Sequence, residues 1–211
     1  IASNTSSLSI TEMASDLKVP ERFIGFHFFS PVNRMPLIEV IPGDKTSPEV
    51  VASMVAFARQ LKKTPIVVKN CLGFLVNRVL LPYVSEAVFL IQDGVATHTI
   101  DALADSFGMP LGPLSLADEV GLDVGFKVMQ SLEDGYGERM KRPQLMLMLS
   151  ELEEFSGKKS GVGFYTYSGK KKYVNPQVKQ LVQELEMKKR PVPDEDILDR
   201  LFLIQVNEAA R

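Results

Sequence analysis

Gly25-Phe26-His27-Phe28-Phe29-Ser30-Pro31-Val32-Asn33-Arg34-Met35-Pro36-Leu37-Ile38-Glu39-Val40 is the stretch from which the rest of the chain is read. It holds one of only two histidines. An apolar run surrounds His27, breaks at Ser30-Pro31, and returns as a second apolar run with a lone carboxylate, Glu39. Two strands joined in this way can set an imidazole against a carboxylate, the pairing an acid–base dyad needs. Taken alone, a histidine in an apolar run is more often a satisfied core residue than a catalyst. Its neighbours along the chain decide between the two.

Before this stretch, residues 1–8 read as the end of a strand running into a Ser/Thr/Asn loop. Thr11-Glu12-Met13-Ala14 opens a short helix that ends near Lys18, ahead of Pro20. With strands over 23–29 and 36–41, the first 41 residues alternate strand, helix, strand, strand. That is the tail of an α/β sheet. After it, residues 47–61 pattern as a helix, with Pro48 and Glu49 in the first turn. Residues 64–69 form a β-branched strand. The composition then changes. Residues 72–92 predict a long apolar helix kinked at Pro82 and stopped by Asp93-Gly94. Helices follow over 99–107, capped by Thr99, over 113–134 as a pair, and over 143–155, whose Met and Leu stripe is core filling. This section is all-helical, which places a domain boundary near 68–72. The Gly-rich run 157–167 closes it. The Lys/Pro tract 169–194 reads as a linker with one helix near 176–188. In the last helix, from 195 to 211, Arg200, three apolar residues and Glu208-Ala209 echo Arg78 to Ala87, as the start of a second helical repeat would. The expected domains are therefore 1–68, 69–168, the linker 169–194, and 195–211.

The totals exclude several classes. A net charge of −2 over 211 residues argues against a nucleic-acid partner, which needs a basic face. The single Cys71 allows no internal disulfide and suits a reducing compartment, here the cytoplasm. No apolar run approaches the ~18 residues that span a bilayer, and no signal peptide opens the chain. The chain starts at Ile1 and stops inside a helical pattern, so a piece of a longer protein is expected.

Four groups of residues, taken in order, resemble the L-3-hydroxyacyl-CoA dehydrogenases over residues 1–168. They are His27-Phe28-Phe29 with Pro31-Val32 and Glu39, then Gly73-Phe74 with Asn77-Arg78, then Gly112-Pro113 with Asp118 and Gly121-Leu122-Asp123. The last is Gly157-Lys158-Lys159 with Gly161 and Gly163-Phe164-Tyr165. The Met35-Pro36 step, the Lys/Pro tract and the helical echo resemble the multifunctional branch, the α subunits of bacterial fatty-acid oxidation complexes. The resemblance implies a fold of mixed class. It would be the C-terminal remnant of an α/β Rossmann-type NAD domain followed by an all-α 6-phosphogluconate-dehydrogenase-like helical domain. It implies NAD as cofactor, a 3-hydroxyacyl-CoA substrate oxidised to 3-oxoacyl-CoA in β-oxidation, and no metal. It also implies a thiolase β subunit as partner, and either a homodimer through the helical domain, as in short family members, or a second helical copy in that place, as in the multifunctional α subunit.

Position by position, the resemblance makes His27 the catalytic base and Glu39 its carboxylate partner. Ser6 would bond the substrate oxygen beside the nicotinamide, and Asn77 would contact the acyl-thioester end. Ser30 stands where the family usually has a cofactor-touching Asn, and Lys159 falls on a lysine that reaches the cofactor. The chemistry is consistent with this: oxidising a 3-hydroxyl needs a base for the proton, a carboxylate to fix its tautomer, and donors on the substrate oxygen. Each has a plainer reading: Ser6 as a helix or turn cap, Asn77 as a structural amide, Lys159 as a solvated charge. No Gly-x-Gly-x-x-Gly follows a strand, so this chain alone is expected to bind NAD poorly and to be inactive. Two other functions fit the pattern less fully. One is a non-catalytic helical dimerisation or assembly module using helix 72–92. The other is a dehydrogenase of another hydroxy acid, such as a sugar acid.

Overall fold

A computed structural model describes residues 1–186 and 189–211. The chain divides into two compact units, Ile1–Arg78 and Val79–Arg211. The first holds strands β1 (Ala2–Ser3), β2 (Ile24–Phe28), β3 (Leu37–Pro42) and β4 (Thr64–Val67) in the order β1-β2-β3-β4. The outer pairs are parallel and β2 runs antiparallel to β3. Helices α1 (Ile10–Ser15) and α2 (Pro48–Gln60) pack on this sheet. Alternation of side chains along β2 and β3 sorts them onto two faces. Ile24, Phe26, Ile38 and Val40 bury against Ala58 of α2. Gly25, His27, Glu39 and Ile41 take the other face, where Ile10 and Ala14 of α1, with Phe23 and Phe74, form a second small core. A β-carbon at Gly25 would press into Ile10 and Ile41, so only glycine lets α1 seat there. Both helices start on serine caps: Ser9 accepts from the Glu12 amide and Ser47 from the Val50 amide.

Helix α3 (Val76–Gln92) carries the chain into the second unit. It begins four residues later than the composition suggested, because Gly73 and Phe74 adopt left-handed backbone. Its residues Tyr83, Val84, Ala87, Val88 and Leu90 lie at the centre of the second unit's core. Around it stand α4 (Thr97–Phe107), α5 (Pro113–Val120), α6 (Leu122–Tyr136) and α7 (Gln144–Ser150). Thr99 is not the cap of α4; Ala96 holds that position and no side chain bonds there. Helix α7 stops short of residue 155, and the chain turns so that Phe155 is buried. The tract expected to be a linker is more structured than its Lys and Pro content suggested. Strand β5 (Tyr165–Ser168) pairs with β6 (Lys171–Val174), so the unit is not wholly helical. Buried Asn175 caps α8 (Pro176–Glu184), whose Val178 and Val182 enter the core. Residues 187–188, the expected end of that helix, lie outside the described residues. Helix α9 (Asp194–Ala209) is present, and its Arg200 bonds Glu86 and Asp93 at 2.5 and 2.7 Å. No helix among the described residues is long and apolar enough to cross a membrane.

Two buried carboxylates organise this unit. Asp118, fully buried, accepts the Phe164 and Tyr165 amides and the Tyr167 hydroxyl, each at 2.9 Å. Gly163 lies so close that any β-carbon would collide with that carboxylate. Asp101 accepts the Leu114 and Ser115 amides and the Ser115 and Tyr165 hydroxyls. Asp118 and Gly163, which carried the resemblance, and Asp101, which did not, therefore hold the β5–β6 hairpin onto α4 and α5.

Burial pushes the Asp118 carboxyl from 3.8 up to about 6, against the opposing pull of its donors. The folded unit thus binds this proton more tightly than the unfolded chain. Its contribution to stability is full below pH 4 and is lost as pH rises through 6. From pH 4 to pH 7 the native sequence should lose on the order of 2 kcal/mol relative to Asp118→Asn. Urea titrations of both proteins across that range measure it, and parallel profiles would refute it.

Candidate active site

His27 on β2 and Glu39 on β3 are direct cross-strand partners. Nδ1 of His27 lies 2.9 Å from Glu39 Oε2, with the imidazole residue 5% exposed and the carboxylate residue 0%. The other oxygen, Oε1, accepts the amides of Leu75 and Val76, both at 3.0 Å, where α3 opens. A carboxylate in its ionised form only accepts, an arrangement that puts the proton of a neutral His27 on Nδ1 and the lone pair on Nε2. Nε2 makes no hydrogen bond among the described residues. Phe29 and Phe74 flank the ring at centroid distances of 4.7 and 5.8 Å. The imidazole is thus fixed at one end and along its sides, and free at the end that can take a proton.

The loop 3–9 commits several of its side-chain oxygens to backbone amides. Ser3 Oγ accepts the Thr5 amide, Thr5 Oγ1 the Leu8 amide, and Ser9 Oγ the Glu12 amide. Ser6 Oγ caps nothing among the described residues, which leaves that hydroxyl available. Asn77, in the first turn of α3, donates from Nδ2 to the Ser6 carbonyl at 3.1 Å. Asn4 Oδ1 accepts the Phe28 amide, tying the loop to the strand end just past His27. Hydrogen bonds thus join Ser6, His27, Glu39 and Asn77 into one assembly within the first unit. Ser30 is exposed just beyond β2. Lys159 lies in the second unit, its Nζ 2.6 Å from Asp123 Oδ1, and that hydrogen bond holds the Asp123 carboxyl below its ordinary range.

Three contributors escaped the sequence reading. Asn70 accepts the Ile10 amide and donates to Ser9 and Thr11, fastening the end of the loop 3–9 to the end of β4. Its only signal was an Asn closing a β-branched run. Asn4 had no signal beyond its polar loop. The Leu75 and Val76 contributions are backbone amides, announced only by the preceding Gly73.

Residues 1–71 match the profile of the 3-hydroxyacyl-CoA dehydrogenase NAD binding domain, and residues 73–167 match that of its C-terminal domain. The chain belongs to the 3-hydroxyacyl-CoA dehydrogenase family. It is 44% identical over 210 residues to the fatty acid oxidation complex subunit alpha of Vibrio parahaemolyticus. It is 45% identical over 211 residues to that of Vibrio cholerae. These alignments cover 100% of this chain, which spans 29% of the length of either relative. Among solved structures, (S)-3-hydroxybutyryl-CoA dehydrogenase from Ralstonia eutropha superposes with a TM-score of 0.75 at 43% identity. That match covers 80% of this chain and 60% of the other. The dehydrogenase part of multifunctional enzyme 1 from C. elegans gives 0.65 at 31%, covering 99% and 48%.

Glu39→Gln tests the dyad directly in this dehydrogenase-family chain. The new side chain can still accept the two amides through its oxygen but turns an NH2 toward Nδ1. The proton should then move to Nε2 and abolish the free lone pair. Imidazole 15N shifts, read with His98→Gln to leave one histidine, should report Nδ1–H before the change and Nε2–H after it.

Proposed function

We propose that the protein carries out NAD-dependent oxidation of (S)-3-hydroxyacyl-CoA to 3-oxoacyl-CoA, a step of fatty-acid β-oxidation. The observation that carries this is the His27 imidazole, its Nδ1–H locked on Glu39 and its Nε2 open. In this reading Nε2 takes the proton of the substrate 3-hydroxyl. The Nδ1–H bond to Glu39 stabilises the imidazolium that results, and the Leu75 and Val76 amides keep the carboxylate from turning. The free Ser6 hydroxyl donates to the substrate oxygen as it becomes a carbonyl. Asn77 holds the Ser6 loop and offers its remaining amide hydrogen and carbonyl toward the acyl-thioester.

NAD, when bound, supplies the hydride acceptor. The site suits its reactive end. Strands β1 and β2 are parallel, so the loop 3–9 and the segment after His27 leave from carboxyl ends of strands. Open α/β sheets take nucleotides there, and the Ser6 and Ser30 hydroxyls lie on those segments. We assign cofactor contacts to these two and to Lys159. The phosphate-cradling glycine run is absent from this sequence, so the chain by itself should turn over little or no substrate.

The curated relatives are alpha subunits of a complex, and we extend the proposal to a thiolase β subunit as partner, to self-association through the helical unit, and to a cytoplasmic location. An assembly module built on helix 72–92 is less favoured, since Tyr83, Val84, Ala87, Val88, Leu90 and Ile91 of α3 are spent in the core. The Ser6, His27 and Asn77 set favours acyl-CoA over sugar acids, whose related enzymes use a lysine base.

The test joins this chain behind the dinucleotide-binding segment of the Vibrio parahaemolyticus relative and follows NADH consumption with acetoacetyl-CoA. His27→Gln should lower kcat on the order of 10³-fold with an unchanged unfolding midpoint. Retained activity in that variant, or a comparable rate from the chain alone, would reject the corresponding part of the proposal.

A further inference from the structure

The Glu39 carboxylate is held by two consecutive backbone amides, and the chain reaches that geometry by an unusual route. Cys71 to Phe74 closes a turn, with the Phe74 amide on the Cys71 carbonyl at 3.0 Å. Gly73 then takes φ +74° and Phe74 φ +49°. Glycine adopts this backbone freely, but a bulky residue does so rarely, and such outliers collect where surrounding structure enforces them. What enforces it here is burial. Phe74 is 1% exposed, packed with Ile10, Ala14, Phe23 and Ile41. Immediately afterwards the Leu75 and Val76 amides meet Glu39 Oε1, and the Arg78 amide returns to the Gly73 carbonyl. The same Phe74 ring lies 5.8 Å from the His27 ring, tilted by 58°.

We propose that Phe74 is a positioning residue for the dyad: its seated ring fixes the left-handed turn that aims two amides at Glu39, and walls the imidazole on one side. This rests on the dehydrogenase reading for its consequence in catalysis, but not for its geometry. The ring and the amides act on opposite members of one hydrogen-bonded pair. Loosening Phe74 should therefore free both the carboxylate to rotate and the imidazole to change tautomer, without touching substrate. Simple core filling would lower stability and leave the folded site unaltered.

The experiment uses the 211-residue chain with His98→Gln and 15N-labelled histidine. Without further change, His27 should show a single tautomer with Nδ1 protonated. Phe74→Ala should show both tautomers in exchange within its folded population. Phe74→Leu keeps apolar bulk should the alanine variant fail to fold, and it should also mix tautomers. Phe74→Tyr should restore the single form. A folded leucine variant with the unchanged single tautomer overturns the proposal. In the longer fusion protein, Phe74→Leu should lower kcat about tenfold while KM for acetoacetyl-CoA stays within about twofold; a changed KM with constant kcat also overturns it. If the tautomer responds but the parent fusion protein has no dehydrogenase activity, the functional proposal fails and the positioning role stands.

Discussion

The Glu39 carboxylate is the group on which the first unit depends. It is buried in the sheet with three donors on its two oxygens: one imidazole N–H and two amides from the start of α3. A charge in such a place is tolerated only because it is fully bonded. Removing one partner from a buried pair leaves an uncompensated charge, a loss typically on the order of 3–5 kcal/mol. The arrangement fixes several things together. It links β2 to β3 through their side chains, it ties the start of α3 to β3, and it holds Nδ1 of His27. The first turn of α3 also carries Asn77, which grips the Ser6 loop. Ser6, Asn77 and His27 are thus referred to one anchor.

Much of this was readable from the residues. The apolar runs around His27 and Glu39 announced two strands, and an antiparallel pair with a short connection must face some residue of one against some residue of the other. That the two functional residues are exact register partners follows from the geometry of β2 and β3. The resemblance singled out Ser6, but the residues alone could not separate it from the other hydroxyls of that loop, because only three-dimensional hydrogen bonding shows which ones are already committed. Asn70 and the Leu75 and Val76 amides were invisible for a related reason: their partners lie 36 to 61 positions away in sequence.

The second unit teaches a different lesson. Gly163-Phe164-Tyr165 and Asp118 carried part of the resemblance, and in the structure the glycine-rich loop encloses the buried Asp118 side chain. Gly-rich sequence signals close approach of something to the backbone, and that something here is a carboxylate of the same chain. The Lys/Pro tract misled in the opposite direction. Its charges do face water, but Asn175, Val178 and Val182 are interspersed among them and bury. An average over composition hides three residues that are enough to pin a hairpin and a helix.

Gly25 shows how far the reach of such a site extends. It has no side chain to offer chemistry, yet it sits two positions from His27 and determines how closely Ile10 approaches the sheet. Ile10 opens α1, and α1 receives the loop that carries Ser6. Enlarging Gly25 would therefore displace the Ser6 loop through a helix rather than through the imidazole. In a map of tolerated substitutions this position would look like part of the active site, and a search for variants with altered acyl preference could profitably begin at the α1 side of that contact.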